Sequence, residues 1–102
     1  MLYFYDGDGD KNKSGLVIFD YKNNGSLTND FNRNKGIFMK EPFINLYDEA
    51  LSNYTLQLSA YSIPLQDLGY KILDRKLIWV KDDGTYEKIF VPDMSNTLRE
   101  IL

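Results

Sequence analysis

The chain has 102 residues, of which 43% are hydrophobic and 15% aromatic, and its formal net charge is -3. This length predicts a single domain over residues 1–102 with enough apolar side chains for one core. The mild negative charge argues against direct binding to duplex nucleic acid, which usually needs a basic face. The chain contains no cysteine and no histidine, which excludes disulfides, ordinary zinc sites and nucleophiles that depend on imidazole or thiol.

Two short apolar segments separated by turn-forming residues open the chain. Residues 2–5 (LYFY) and 16–21 (LVIFDY) are rich in aromatic and β-branched residues, which predicts a hairpin with a long loop. Residues 22–36 are rich in asparagine, so we expect an irregular connection anchored by Leu27 and Phe31. Residues 37–39 (IFM) are a candidate for a further short strand.

An amphipathic pattern follows Pro42. Apolar residues at spacings of three and four up to Tyr54 predict a helix over about 42–53, with Pro42 in its first turn and Glu41 at its N-terminal end. Residues 55–63 (TLQLSAYSI) then alternate, which predicts a strand, although the helix could continue through them. Pro64 is expected to end that element, and Gly69 to close one helical turn after it.

The C-terminal third predicts strands joined by tight turns. Residues 70–73 (YKIL) and 76–81 (KLIWVK) flank Asp74 and Arg75, which we interpret as a turn. Asp83-Gly84 between apolar runs predicts a two-residue hairpin turn. That turn places three pairs on one face: Lys81 with Tyr86, Trp79 with Lys88, and Leu77 with Phe90.

The last strand is expected to stop at Pro92 and to be followed by a short helix over 95–102, capped by Asp93 or Ser95. Together these elements predict an α+β fold. It would be a mainly antiparallel sheet of about five strands built from hairpins, with one central helix (about 42–53) and a short C-terminal helix.

The predicted 77–91 hairpin is the main candidate for a partner-binding surface. Both of its faces are largely apolar, so we expect the rest of the domain to cover one face and a helix or a partner to cover the other. Trp79 and Tyr86, flanked by Lys81 and Lys88, would suit partner binding, because aromatic anchors dominate protein interfaces. The alternative is cross-strand packing of the lysine stems over the rings.

Two acidic pairs are further candidates for partner contact: Asp48 with Glu49 on the predicted helix, and Asp82 with Asp83 at the hairpin turn. Acting together they would meet a basic surface, such as a nucleic-acid groove on another protein. The alternative is an ordinary solvated surface.

The segment DGDGDKNKSG resembles the first half of an EF-hand or dockerin-type calcium loop. Asp6, Asp8 and Asp10 occupy the first three ligand positions. However, Lys11 stands where such a loop needs glycine, and Val17 stands where it needs a bidentate glutamate. The alternative is a solvated hairpin loop, and we expect no cofactor other than Ca²⁺ if this loop binds it.

Asp67, Asp74 and Lys76 resemble the PD…(D/E)xK arrangement of metal-dependent nucleases. In that arrangement acidic residues hold Mg²⁺ and a lysine positions the attacking water. The separation of the two aspartates is short for the motif, and no Pro-Asp pair precedes them. The alternative is that Asp74 is a turn residue, and we expect no enzymatic activity.

The leading hypothesis is a small acidic non-enzymatic protein-binding module. The composition looks like that of phage or mobile-element products, which gives a narrower hypothesis: an anti-CRISPR-like inhibitor of a host defence nuclease complex. Its partner would be a nucleic-acid-binding host protein, bound by a monomer or homodimer. The alternative is a structural virion or assembly subunit. No signal peptide or membrane-length apolar run is visible, so we expect a cytoplasmic protein, in the host cell if phage-encoded.

Overall fold

The computed structural model describes residues 1–23 and 25–101. Within that part of the chain, four strands form one sheet in sequence order: β1 (Leu2–Tyr5), β2 (Gly15–Lys22), β3 (Ile72–Val80) and β4 (Tyr86–Phe90). The α-helices are α1 (Asp30–Lys35), α2 (Ala50–Asp67) and α3 (Ser95–Ile101), and two short 3₁₀ turns, Gly7–Gly9 and Lys11–Lys13, separate β1 from β2. The α+β class is therefore confirmed.

The sheet is mixed, with four strands in the described residues where about five mainly antiparallel strands were expected. β1 and β2 form an antiparallel hairpin, as do β3 and β4, whereas β2 and β3 are parallel. Parallel neighbours need a crossover connection, and α2 provides it by packing on both strands.

The central helix begins at Ala50 rather than near Pro42, and it continues through the predicted strand 55–63. The helix predicted over 42–53 and the strand after it are therefore wrong. Pro64 lies inside the last turns of α2, and Gly69 follows the helix with a positive φ of 95°. The residues of α2 that are buried recur at helical spacings: Ser52, Thr55, Leu58, Ser59 and Ser62.

The hydrophobic core lies between α2 and the sheet. Its buried members are Ile18 of β2, Leu77 of β3, Leu58 of α2 and Val91, which directly follows β4. The hydroxyl side chains beside Leu58 on α2 are small, which allows the helix to approach the sheet closely.

The asparagine-rich segment contains a short helix that was not predicted. In α1 the Asn29 side chain accepts the Asn32 N–H, and Gly36 ends the helix in the left-handed region. Leu27 is buried as expected, but Phe31 is 66% exposed and is not an anchor. Asn24 of this segment lies outside the described residues.

The candidate strand over residues 37–39 does not form, whereas the predicted cap of the C-terminal helix is present. Phe38 makes an isolated antiparallel bridge with Tyr47 instead of a full strand. The Asp93 carboxylate accepts the Ser95 N–H at 2.8 Å, which caps the C-terminal helix as predicted. Leu102, the last residue of that predicted helix, lies outside the described residues.

β3 runs without interruption through Asp74 and Arg75, so the predicted turn there is wrong. The β3–β4 turn does contain Asp83-Gly84, but its loop is longer than two residues. The Lys81 N–H donates to the Thr85 carbonyl, and Gly84 adopts a φ of 86°. This is the longer hairpin loop in which a left-handed glycine follows a turn.

The longer loop shifts the hairpin by one residue from the predicted register. Val80 lies opposite Tyr86, Trp79 opposite Glu87, Ile78 opposite Lys88, and Leu77 opposite Ile89. Because side chains alternate between faces, a shift of one residue exchanges the faces of one strand relative to the other. Tyr86, Lys88 and Phe90 therefore lie on the face opposite to Leu77 and Trp79.

Candidate protein-binding surface

The two faces of the sheet have different coverings. Ile18, Leu77 and Ile89 face the core with Leu58 of α2, so the helices lie on that side. The described residues measure only 17 Å along their shortest axis, which suits a sheet with one helical layer. The other side, which we call the open face, carries these residues: Tyr3, Tyr5, Val17, Phe19, Tyr21, Asp74, Lys76, Ile78, Val80, Tyr86, Lys88 and Phe90.

Large aromatic side chains of the open face are exposed to solvent. Tyr21 is 53% exposed, Tyr86 63% and Phe90 64%. The Phe19 ring lies between those of Tyr3 and Tyr21, with centroid distances of 5.6 and 5.8 Å. These contacts restrain the rings of Tyr3, Phe19 and Tyr21.

Lysines border the aromatic rows of the open face. The Lys76 ammonium donates to the Tyr3 hydroxyl at 3.0 Å and lies 5.2 Å from the centre of the same ring. Lys88 extends from the neighbouring strand β4 on the same face. The face is therefore aromatic and aliphatic at its centre and carries cationic groups beside the rings.

A shallow hollow of about 360 Å³ lies within the open face. Ile78, which is almost buried, contributes to its apolar lining, and the exposed Tyr21 and Tyr86 supply aromatic rings. Val80, Gly84 and Lys88 complete the lining. An apolar floor with aromatic and cationic neighbours matches the anchor-and-rim arrangement of protein interfaces.

The structure separates the four hairpin residues that the sequence grouped together. Tyr86 and Lys88 lie on the open face and line the hollow. Trp79 lies on the helical side, half-buried, with the Lys81 ammonium 5.0 Å from its ring centre. Lys81 also pairs with Glu87 at 3.4 Å. Lys81 thus lies over the ring of a residue two positions earlier in the chain, whereas the predicted alternative was packing across strands.

Asp82 and Asp83 lie at the exposed tip of the β3–β4 hairpin. The Asp83 carboxylate accepts the Thr85 hydroxyl at 2.6 Å and the Thr85 N–H at 2.9 Å. These hydrogen bonds lower the pKa of Asp83, with the hydroxyl bond contributing most. The tip therefore carries negative charge beside the hollow.

Asp48 and Glu49 do not form an acidic patch, because Glu49 is buried. Its carboxylate receives two bonds of 2.7 Å from the Arg33 guanidinium and a third, of 3.2 Å, from the Asn29 N–H. The Arg33 bonds lower the pKa of Glu49 despite its burial. Asp48 is exposed and precedes α2 instead of lying on a helix. The pair Arg33–Glu49 joins α1 to the start of α2. Because the two residues are far apart in the sequence, no local pattern predicted their contact.

The carboxylates of the DGDGD segment are used within their own loop. Asp6 and Asp10 each accept a backbone N–H two residues later, from Asp8 and Asn12. The Tyr5 hydroxyl donates to Asp8 at 2.8 Å, which is the main cause of the raised pKa of Tyr5. Over residues 1–23 and 25–101, no three acidic side chains converge as a metal site would require. Calcium binding stays an untested prediction.

The nuclease-like residues lie on different sides of the sheet. Asp67 belongs to the helical layer, where its carboxylate lies 2.8 Å from Arg99 Nη1. Asp74 and Lys76 are residues of β3 whose register places them on the open face. The arrangement therefore does not gather two carboxylates and a lysine around one metal position.

None of the helices described is both long and apolar enough to span a membrane. Comparison of the chain with protein-family models, with curated proteins and with solved structures found no match. Function is therefore inferred from the open face itself.

Proposed function

We propose that the protein is a non-enzymatic protein-binding module whose partner docks on the open face. The observation that supports this is the exposure of Tyr21, Tyr86 and Phe90 on one sheet face, where Tyr21 and Tyr86 line an apolar hollow. Contiguous apolar patches on soluble proteins commonly mark interaction sites. Tyrosine suits such a site because its ring provides apolar area while its hydroxyl forms hydrogen bonds at the rim.

The chemistry of the open face favours a protein partner over a nucleic acid. Single-stranded nucleic acids need a positively charged groove beside the stacking rings. Here Asp82 and Asp83 stand at the hairpin tip beside the hollow, and the whole chain carries a net charge of -3. An apolar partner side chain in the hollow, with a partner carboxylate near Lys88, fits both the shape and the charge.

The open-face proposal is tested by site-specific crosslinking in cells that produce the protein. A photoreactive phenylalanine derivative replaces Tyr86 on the open face, and in a matched chain it replaces Tyr61, which is 51% exposed on α2. We expect a discrete crosslinked protein from the first position and none from the second. Equal crosslinking from both positions would refute the open face as the docking site.

A second measurement uses the partner that the crosslink identifies. The double variant Tyr86→Ser/Phe90→Ser should weaken its binding at least about tenfold, because removing interface anchors typically costs more than about 1 kcal/mol. The control Tyr61→Ser/Leu68→Ser changes equally exposed side chains of the helical layer and should bind normally. Retained binding by the open-face variant would also refute the proposal.

The narrower proposal is inhibition of a host defence nuclease, in which the hairpin-tip carboxylates enter a basic groove. Asp82 and Asp83 support this proposal because they are exposed at the hairpin tip, where they could reach such a groove. Glu49 does not support it, because it is buried. Adding the protein to a purified CRISPR effector with guide and target should reduce cleavage, and Asp82→Asn/Asp83→Asn should restore it. Cleavage that is unchanged by the wild-type protein across the effector types tested would remove this narrower form alone.

A second candidate, an assembly subunit, is favoured by the apolar outer edge of β1. Edge strands without charge or proline are templates for pairing with further chains. The average mass from light scattering, measured as a function of concentration, distinguishes the two candidate functions. An assembly subunit should form open-ended oligomers, whereas a binding module should stay small.

A further inference from the structure

The outer edge of β1 differs from the other edge of the sheet. β1 and β4 are the end strands, and β4 carries Glu87 and Lys88 at its centre. β1 is Leu2–Tyr5, with no charge and no proline, and all of its side chains are exposed. Natural proteins usually protect a free edge with charges, prolines, bulges or a very short strand. β1 is short, at four residues, but has none of the other three devices.

The backbone groups that β1 directs outward follow from its register. The Phe19 N–H donates to the Met1 carbonyl at 2.9 Å, and Tyr3 lies opposite Val17. Antiparallel pairs alternate between hydrogen-bonded and non-hydrogen-bonded positions, so Leu2 and Phe4 occupy the non-hydrogen-bonded positions. Their N–H and C=O groups therefore point away from β2, toward the free edge.

We propose that this edge pairs antiparallel with the β1 edge of a second copy, joining two four-stranded sheets into one. Only outward groups can form the new bonds, so Leu2 pairs with Phe4 of the partner subunit, and Phe4 pairs with Leu2 of the partner subunit. Tyr3 then lies opposite Tyr3 of the partner subunit at the two-fold axis. This register lets every outward N–H and C=O of the two strands find an acceptor or donor.

A second copy suits this edge because the strand is complementary to itself. On the helical side, Leu2 of one copy meets the Phe4 ring of the other, so apolar groups meet apolar groups. α2 packs on β2 and β3, and Leu2 and Phe4 beyond it stay 50% and 63% exposed. Leu2 and Phe4 are therefore accessible to Phe4 and Leu2 of the partner subunit, and this pairing places no charged side chains opposite each other.

The size of the contact predicts a weak dimer. About five residues a side would take part, compared with roughly 20–30 a side in a stable interface. We therefore expect dissociation in the range of about 1 μM to 1 mM, which is typical of small contacts. A two-fold axis perpendicular to the sheet keeps both open faces on the same side, which would present partners with a bivalent surface.

Disulfide trapping tests the register, because the chain has no cysteine of its own. Non-hydrogen-bonded antiparallel neighbours lie about 4.5 Å apart between Cα atoms, within the range of a disulfide. Tyr3→Cys should therefore oxidise to a covalent dimer at least about tenfold faster than Tyr61→Cys on α2, and urea should abolish the difference. Equal rates for the two variants would overturn the proposal.

Sedimentation of the unmodified protein provides the second measurement. Its average mass should rise with concentration, and Phe4→Lys should weaken association at least about tenfold. The double variant Leu2→Glu/Phe4→Lys should restore it, since the register sets the two new charges opposite each other. A wild-type protein that stays monomeric up to about 1 mM would overturn the proposal. This holds also if β1 is found to pair with a strand of a different protein. Tyr86→Ser should leave association unchanged, which separates this result from the fate of the open face.

Discussion

Replacing Arg75 by methionine is expected to leave the fold equally stable or make it more stable. Arg75 lies in β3 beneath α2 and is only 6% exposed. Its Nε donates to the Ser62 hydroxyl at 2.7 Å, whereas one terminal nitrogen lies 3.3 Å from Asp93 Oδ1 without hydrogen-bond geometry. Burial is the main influence on Arg75 and lowers its pKa, which the charges of Asp93 and Asp74 offset only in part.

The magnitude follows from three contributions. The charged hydrogen bond to Ser62 is worth about 1.5–3 kcal/mol, and the pair with the 44% exposed Asp93 about 0–1 kcal/mol. Against these stands a desolvation cost of several kcal/mol for the buried guanidinium. Ser62 keeps its own bond to the Leu58 carbonyl. Methionine retains most of the buried volume, so we expect a change from zero to about 2 kcal/mol in favour of folding.

Urea unfolding monitored by circular dichroism and by the fluorescence of Trp79, the one tryptophan, measures this change. The matched control is Arg75→Ala, which also removes the charge but leaves a cavity and should cost about 2–4 kcal/mol. The reasoning fails if the methionine variant is as unstable as the alanine variant. That result would show that the charge itself stabilises the fold.

Three further predictions concern the core, a close backbone approach and pH. Leu58→Ala should lower the free energy of unfolding by about 3 kcal/mol, because Leu58 is fully buried; a loss under about 1 kcal/mol would contradict this core. Gly15→Ala should cost about 1–3 kcal/mol, since a Cβ would lie 2.7 Å from the Lys71 carbonyl oxygen, whereas Gly25→Ala meets nothing within 4 Å and should be neutral. Glu49 has a lowered pKa in the fold, so its stabilisation is present at neutral pH and is lost as pH falls below the ordinary carboxyl value of about 4.3. Thermal unfolding from pH 7 to pH 3 should therefore show a smaller loss for Glu49→Gln than for the wild-type protein, and parallel losses would contradict the pairing.

Signals confined to a few residues were sufficient for part of the fold. The β1–β2 hairpin, the turn at Asp83-Gly84 and the cap at Asp93 each depend on turn or cap chemistry that acts over two to four residues. The α+β class followed from these elements. The parallel pairing of β2 and β3 did not, because it depends on a crossover whose helix was assigned to the wrong residues.

The residues 50–67 show why that helix was misread. Leu56, Leu58 and Ala60 alternate as they would in a strand, and a pattern of apolar residues alone leaves out the hydroxyl residues between them. In the structure Ser52, Thr55, Ser59 and Ser62 are buried together with Leu58. Hydroxyl residues count as polar in a hydrophobic pattern, yet in a helix Thr55 and Ser62 satisfy their hydroxyls on the carbonyls of the preceding turn. A pattern of small residues at spacings of three and four would have favoured the helix.

The proposed binding surface was less predictable than the fold because it depends on register. Tyr86 and Lys88 were identified correctly as residues of the same face, but Trp79 was placed with them. One extra residue in the loop, accommodated by Gly84 in the left-handed region, moves Trp79 to the helical side. Tyr21 rather than Trp79 lines the hollow together with Tyr86, and no sequence feature near residue 21 predicted this. The aromatic residues of the sequence were compatible with either an interface or cross-strand packing, whereas the hairpin loop determines which rings lie together on the open face.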